Sequence, residues 1–463
     1  MRGLFVLPCV LLFSSFQIAP SNEEVSLPRV GRQEAKEVWM QTLEHYAARS
    51  DWRSLGHIAK HAISDGISLR TLMALAEKVN AEPLLRASVA AHNIRELLSG
   101  IGIEKNDLFR IALFIETELH TARDNVQNNY LSRRLTGLAR TLEFDEESGK
   151  VFIHLKSHGI DEVGRGVKKV VTKSILYDVE EPKLVAHCTS SSAMKDEVAA
   201  LRDMQGSKGI VKLYASGERL TKEGAPLYKM MCKLYEGGTL SSAFSNKKRF
   251  SFKEKLIIAQ HLIEGLAAMH EKGLVHRDLT ARNILIEKRE KNDIEAVIAD
   301  FGRTKPINEA QGCKVQFNSR YMAPEGIIQE RLSGKDYFAT DIFALGCILH
   351  RMHFEKSGPW IDKENLKNPT QPAIVKEAKF IYDLQLYREA AQPSGNSSKD
   401  RFERIILQMI HEVPANRGTT AELLANINQL LQDFEAKAAS RGTEDEVVVE
   451  ASPNLEVVVG NGV

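Results

Sequence analysis

Three side chains that could bind a divalent cation or accept a proton occur in two short segments of this 463-residue chain. Asp278 and Asn283 lie within the segment HRDLTARN, and Asp300 begins the segment DFG. Carboxylate and amide oxygens are the hard ligands that magnesium prefers, and a carboxylate can also accept the proton of a hydroxyl group. This combination favours a metal-assisted reaction at a hydroxyl group.

Apolar strands are predicted to position both segments. Ile284-Leu285-Ile286 follows the first segment, and an apolar run at 296–299 precedes the second. Strand patterns dominate from 141 to 235, beginning with a predicted hairpin, and are interrupted by one helix around 193–204. Helical patterns dominate from 239 to 435. A small strand-rich lobe followed by a larger helical lobe is an α+β arrangement with a cleft between the lobes.

Residues 145–435 resemble the eukaryotic-type protein kinase domain. Beside HRDLTARN and DFG, the resemblance is carried by Ala323-Pro324-Glu325, by DIFALG at 341–346 and by Arg417, all in the order of that family. It implies a two-lobed protein kinase fold preceded by an all-helical N-terminal domain. It also implies ATP and Mg2+ as cofactors and a protein substrate.

The resemblance implies a role for each residue of the two segments. Asp278 would orient the substrate hydroxyl and accept its proton. Asn283 and Asp300 would bind magnesium. Arg277 stands where such kinases often pair an arginine with a phosphate of the activation segment, but residues 306–317 contain no Ser, Thr or Tyr, so this switch is expected to be absent. For the accepting hydroxyl, the signals conflict. Arg282 is typical of tyrosine kinases, whereas residues 320–325 (RYMAPE) are closer to the Ser/Thr pattern, which we favour weakly.

The lysine that kinases carry on the third strand of the small lobe is missing. Residues 185–188 read VAHC, so Cys188 stands in its place, while the glycine-rich loop at 164–171 reads GRGVKKVV. Because side chains alternate faces along a strand, Lys169 shares the inward face with Val171 and lies nearer the turn over the phosphates. In both departures, the cysteine on the third strand and the lysine in the glycine-rich loop, the chain is similar to the With-No-Lysine kinases. In that family the relocated lysine supports catalysis. The resemblance makes Glu197 the acidic partner of Lys169.

The remaining nucleotide contacts are also implied by the resemblance. The glycine-rich loop and the strand after it would cover ATP, and the backbone of the hinge between the lobes would bond the adenine. These positions are Gly164, Gly166, Lys169, Val171, Ala186, Leu234, Tyr235 and Leu285.

Outside the kinase-like region, residues 30–140 read as short helices. We expect a regulatory or docking domain there, with a protein partner. Residues 1–21 resemble a signal peptide. Their apolar stretch, from Leu4 to Phe16, is too short for a stable transmembrane span. An exported protein, delivered into another cell's ATP-containing cytosol, is the favoured localisation, and a cytoplasmic protein is the alternative. The tail at 436–463 is expected to be disordered.

Bulk properties exclude little else. The hydrophobic content of 43% and charged content of 27% are those of an ordinary soluble protein. The net charge of +1 gives no reason to expect nucleic-acid binding. Five cysteines without metal-ligand spacing predict free thiols. The alternative to an enzyme is an inactive pseudokinase that acts as a scaffold, and a small-molecule kinase of related fold is disfavoured by the intact Ala323-Pro324-Glu325.

Overall fold

The computed structural model divides into two units, Met1–Val126 and Gln127–Val463. The predicted leader, Gly166 and the tail beyond 441 lie outside the described residues, so the domain limits stay a prediction. The structure describes residues 32–49, 52–64, 67–97, 111–113, 115–116, 139–145, 149–155, 162–165, 169–191, 194–220, 224–290, 292–310, 321–327, 332, 334–356 and 372–441.

The described part of the first unit is helical, as predicted. Ser68 caps one helix, because its hydroxyl accepts a hydrogen bond from the backbone N–H of Thr71. Among the described residues, no helix has both the length and the apolar character needed to cross a bilayer. The helices are α1 (Arg32–Ala48), α2 (Trp52–Ser64), α3 (Leu69–Lys78) and α4 (Glu82–Leu97), and their wholly buried side chains include Leu43, Leu55, Leu72, Leu85 and Ile94.

The second unit begins with an antiparallel sheet. Its strands are β1 (Ala139–Asp145), β2 (Lys150–Leu155), β3 (Glu162–Arg165), β4 (Lys169–Tyr177), β5 (Lys183–Ser190), β6 (Leu213–Leu220) and β7 (Pro226–Lys233). They lie in the order β1-β2-β4-β5-β7-β6, with β3 paired to β4.

The hairpin predicted at the start of this region is confirmed. Strands β1 and β2 pair in register, with Phe144 opposite Val151, and Gly149 between them has a φ of 65° that favours glycine. However, β1 begins at Ala139, which pairs with Leu155. The sheet therefore starts before residue 145, and pairing with β2 makes residues 139–140 a strand rather than the predicted helix.

Helices dominate the rest of the second unit, together with two small ribbons. One ribbon pairs β8 (Leu274–Val275) with β11 (Lys305–Pro306), and the other pairs β9 (Ile284–Glu290) with β10 (Asp293–Ile298). The helices are α5 (Lys195–Asp203), α6 (Leu240–Ser245), α7 (Phe252–Glu271), α8 (Ile307–Ala310), α9 (Gly334–Phe354), α10 (Ala373–Ala390), α11 (Ser398–Met409) and α12 (Thr420–Arg441).

Helix α12 corrects the predicted start of the tail. The helix continues through residue 436 to Arg441, because its last turns contain three alanines together with Lys437 and Arg441, all strong helix formers. The prediction of disorder from residue 436 is therefore wrong for its first residues.

A close backbone contact joins the segment after α5 to the helical part. Gly209 has a φ of 70°, and a Cβ at this position would lie 1.9 Å from the carbonyl oxygen of His261 on α7. Its own carbonyl accepts a hydrogen bond of 2.7 Å from the N–H of Ile298 on β10. Only glycine fits this conformation and this separation.

A buried polar cluster lies within the sheet. Glu143, His154, Ser174, His187 and Lys229 are all less than a tenth exposed. Glu143 Oε2 lies 2.9 Å from His154 Nε2, while Lys229 donates to the other carboxylate oxygen. His154 Nδ1 is 2.7 Å from the Ser174 hydroxyl, and its ring stacks on that of His187 at 4.2 Å. Burial opposes ionisation of Glu143, but His154 and Lys229 outweigh it and lower the pKa to about 2.

This cluster predicts an acid-sensitive contribution to stability. The folded-state pKa of Glu143 is depressed from 4.5, so its ionised form stabilises the fold above about pH 4.5, and that contribution is lost as the pH falls towards about 2. We expect Glu143→Gln to cost about 3 kcal/mol at neutral pH and progressively less in acid. Thermal unfolding at pH 7 and pH 3 measures this, with the exposed Glu181→Gln as control. An equal loss at both pH values would contradict the prediction.

Candidate functional site

A buried carboxylate of helix α9 holds the segment that contains Asp278. Asp341 accepts backbone hydrogen bonds from His276, at 2.7 Å, and from Arg277, at 3.0 Å. Arg277 is buried and has a φ of 65°, a left-handed conformation that is strained for this residue. The loop is therefore held in one strained shape by a side chain from another element.

Hydrogen bonds within the loop bring Asp278 and Asn283 together. The Asn283 amide nitrogen donates to the Asp278 carbonyl at 2.8 Å, and the Asp278 N–H lies 3.3 Å from His276 Nδ1. The backbone carbonyl of Asn283 accepts a hydrogen bond of 2.8 Å from the N–H of Ala299, the residue immediately before DFG. This link connects the two sequence segments that carry the oxygen-bearing side chains.

The backbone at DFG is also strained. Asp300 has a φ of 62°, while the ring of Phe301 is almost fully buried in the core. At Gly302 a Cβ would lie 3.3 Å from Asp300 Oδ1, so a larger residue would crowd that carboxylate. Strained backbone of this kind is concentrated at functional sites.

Lys169, at the first position of β4, lies between two carboxylates. Its ammonium is 2.6 Å from Glu197 Oε1 and 2.6 Å from Asp300 Oδ1. Burial disfavours the charged ammonium, but Glu197 and Asp300 outweigh it and raise the pKa of Lys169. Burial raises the pKa of Glu197 in spite of the lysine, whereas the lysine prevails over burial and lowers the pKa of Asp300.

Cys188 faces the same charged groups from the neighbouring strand. It lies on β5, paired with Val171 of β4, and feels the charges of Lys169, Glu197 and Asp300. Burial raises the pKa of its thiol to about 12, so the group is neutral at physiological pH. A neutral thiol supplies no cation for phosphates, and it is a poor nucleophile.

Most of the other described residues assigned to nucleotide binding lie on the sheet or in the segment after it, and Leu285 lies on β9. Gly164 pairs with Val171 across β3 and β4, and Ala186 precedes Cys188 by two residues on β5. Tyr235 is buried just after β7, with the Lys233 ammonium 4.7 Å from its ring centre. Leu234 is its partly buried neighbour, and Leu285 of β9 packs against the core.

The donor set suits magnesium in type. Asp300 offers a carboxylate, and the amide nitrogen of Asn283 is committed to the Asp278 carbonyl, which leaves the amide oxygen as the atom for a metal. Within the described residues no cluster of three or more His, Cys, Asp or Glu side chains forms a metal centre. A metal bound here would thus be completed by ligands such as phosphate oxygens and water.

Arg303, which the sequence reasoning missed, contacts Asp278. Its Nε lies 3.6 Å from Asp278 Oδ2, and its side chain is 42% exposed. Burial raises the pKa of Asp278, with Arg303 acting against it. The available signal was the position of this cation directly after DFG. A cleft beside Asp278 is lined by further residues, among them Thr280, Tyr321 and Thr340.

Glu325 and Arg417, two of the residues that carry the resemblance, form an ion pair. Arg417 is fully buried, and its guanidinium donates two hydrogen bonds to the Glu325 carboxylate, one of them 2.8 Å long. It also donates to the carbonyls of Ala339 and His411, at 3.0 and 2.7 Å. Glu325 lies in a short 3-10 helix, Pro324–Ile327, that closes the segment after DFG.

Comparison with known proteins identifies the same family that the sequence motifs resemble. Residues 162–427 match the family described as the protein kinase domain. Serine/threonine-protein kinase SSK22 of Saccharomyces cerevisiae is 26% identical over 250 residues, which cover 50% of this chain and 17% of that protein. The 3-phosphoinositide-dependent protein kinase 1 of Arabidopsis thaliana is 26% identical over 277 residues, 55% of this chain and 52% of that protein.

A third relative is a dual specificity kinase. Dual specificity testis-specific protein kinase 1 of Rattus norvegicus is 34% identical over 205 residues, covering 43% of this chain and 30% of that protein. The chain therefore spans about half the length of these relatives or less, and the similarity is confined to part of each.

Proposed function

Because this chain belongs to the protein kinase domain family, we propose that it transfers the γ-phosphate of ATP to a hydroxyl of a protein substrate, with Lys169 in place of the missing third-strand lysine. The other part of the proposal is that the relocated lysine acts as it does in the With-No-Lysine kinases, which the sequence resembles.

One observation carries the proposal. The Lys169 ammonium contacts both the Glu197 and the Asp300 carboxylates at 2.6 Å, whereas Cys188 on the adjacent strand is neutral. An ammonium held between an acidic helix residue and the DFG aspartate is positioned to bind phosphate oxygens near a metal ligand. Transfer of a phosphoryl group depends mainly on this kind of positioning and charge neutralisation.

The remaining residues have roles that fit their contacts. Asp278 orients the accepting hydroxyl and takes its proton, in a loop held by Asp341. Asn283 and Asp300 hold magnesium, which neutralises charge on the phosphates when bound. Gly164, Gly166, Val171, Ala186, Leu234, Tyr235 and Leu285 surround the nucleotide, as the resemblance implies.

We propose Ser or Thr rather than Tyr as the acceptor. Two of the relatives named above are a serine/threonine-protein kinase and a dual specificity protein kinase. Peptide libraries that differ only in the acceptor residue decide this point directly, since each hydroxyl is offered in the same sequence.

Loss of the proton acceptor tests the enzymatic part of the proposal. We expect Asp278→Asn to lower phosphate transfer by about 10²-fold or more, because general-base catalysis contributes on this scale. The purified chain is incubated with labelled ATP and magnesium, alongside the variant and generic protein substrates. Equal transfer by both proteins would contradict the assignment of Asp278.

Absence of transfer would favour the alternative of a pseudokinase scaffold. Binding of ATP with magnesium is therefore measured in parallel by displacement of a fluorescent nucleotide. A protein that binds neither nucleotide nor magnesium, and transfers nothing, is a scaffold rather than an enzyme.

A further inference from the structure

Helix α10 carries apolar side chains on two opposite faces. Phe380 and Leu384 are buried on one face, where they pack with side chains of α9. The opposite face carries Val375, Tyr382 and Leu386, which are between 48% and 61% exposed. Of the six large apolar residues that are exposed in the described part of the chain, four lie on this helix. A helix that is apolar on both faces is typical of an element that is covered on both.

The exposed residues form one straight stripe. At 3.6 residues per turn, Val375, Tyr382 and Leu386 lie within about 40° of one another around the helix axis, and they extend about 16 Å along it. Together with Lys379, they follow one another at intervals of four, three and four positions. This is the spacing of the a and d positions of a coiled coil, in which a second helix packs along the stripe.

The charges on this face favour a second copy of the same helix as the partner. Lys379 lies in the stripe and Asp383 at its edge, with Lys379 Nζ 3.4 Å from Asp383 Oδ2. In a two-fold dimer a surface contacts itself. Parallel pairing would place Lys379 against Lys379 of the other copy, and like charges at an interface are unfavourable.

Antiparallel pairing removes this conflict. An axis near residue 381 places Lys379 beside Asp383 of the other copy, because the two residues lie on either side of that axis. The same axis brings Val375 opposite Leu386 of the other copy and leaves Tyr382 at the centre. Apolar and charged groups therefore match in one register, and a single lysine in such a seam is a known means of fixing register.

We propose that the exposed stripe of α10 is a self-association surface, through which two copies of this chain pair antiparallel as a weak homodimer. Tyr382 is the central anchor, and the two ion pairs between Lys379 and Asp383 of opposite copies set the orientation more than the affinity. Three helical turns bury less area than a standard interface of about 1,600 Å². The dissociation constant is therefore expected to be about 10 μM or higher.

Sedimentation velocity of the full chain over a concentration series measures this dimer. We expect Tyr382→Glu to raise the dissociation constant by about 10-fold or more, because a central aromatic anchor is lost and a charge takes its place. The matched control is Ile63→Glu, which changes an exposed apolar residue of α2 and should match wild type. Both side chains are exposed, so both variants should keep the circular dichroism spectrum of wild type.

A mixing experiment tests the charges between the copies. Lys379→Glu and Asp383→Lys each bring like charges together, so each variant alone should associate about 10-fold more weakly. An equimolar mixture of the two should regain the association of wild type, because opposite charges then meet between the copies although neither copy has its own ion pair. For the orientation, a mixture of Val375→Cys and Leu386→Cys should form a disulfide-linked dimer more readily than either variant or wild type alone.

Four results would overturn the proposal. A chain that stays monomeric up to about 200 μM would leave the stripe to a different protein. A dimer that Tyr382→Glu leaves unchanged would be formed through another surface. A mixture that associates no better than its two components would confine the ion pair to a single copy. Disulfide formation by Val375→Cys alone that matches the mixture would contradict antiparallel pairing.

Discussion

Lys169→Met is expected to lower the kcat/KM of phosphate transfer by about 10³-fold, while Cys188→Ala stays near wild type. The methionine fills a similar volume but removes the cation that lies 2.6 Å from both Glu197 and Asp300. Two carboxylates are then left without their shared partner, and the phosphates lose a positive charge. Cys188 is neutral and supplies no comparable charge.

A second change tests whether the site needs a positive charge beside Glu197 and Asp300, whichever of the two strands supplies it. Cys188 faces the same carboxylates from the neighbouring strand. We therefore expect Cys188→Lys to restore part of the transfer when it is combined with Lys169→Met. Steady-state kinetics of the two single variants and the double variant measure this. Full transfer by Lys169→Met would refute the relocated lysine.

Glu325→Gln is expected to destabilise the helical part of the second unit by about 3 to 5 kcal/mol. Arg417 is fully buried, and without the carboxylate its guanidinium keeps only carbonyl partners such as those of Ala339 and His411. A buried charge that loses its counter-ion pays a large desolvation penalty. Native-state hydrogen exchange of amides in α9 and α11 reports this loss in the unit concerned.

The matched control removes both charges. Because replacing a buried ion pair by apolar groups is often neutral, Glu325→Leu combined with Arg417→Met should cost less than Glu325→Gln alone. A double variant that is less stable than the single one would show that the pair itself, and not the unpaired charge, determines the effect.

Much of the second unit could be predicted from local patterns. Alternation of side chains along a strand put Lys169 on the face of Val171, and the structure has its ammonium between two carboxylates. The hairpin of β1 and β2 followed from two apolar runs around a glycine. These signals are local, because they depend on backbone geometry over a few residues.

Other features depend on distant parts of the chain. Lys229 pairs with Glu143 across the sheet, and Arg303 reaches Asp278 from the segment after DFG. The partner of a long charged side chain is set by how the elements pack and not by its neighbours in sequence. The end of α12 differs from the prediction for a simpler reason. The acidic residues after 441 favour disorder, but the helix-forming residues before them extend the helix to Arg441.

The contact at Gly209 has a mechanical consequence. It fixes the segment after α5 to α7 and β10, and therefore restricts movement at the C-terminal end of the helix that carries Glu197. Glu197 lies about 9 Å along that helix from Asp203, at 1.5 Å per residue. A rotation of about 10° over this lever moves the carboxylate by about 1.6 Å. If the movement were directed away from Lys169, the 2.6 Å bond would exceed hydrogen-bonding distance, so the fixed segment at Gly209 helps to keep Glu197 connected to the site.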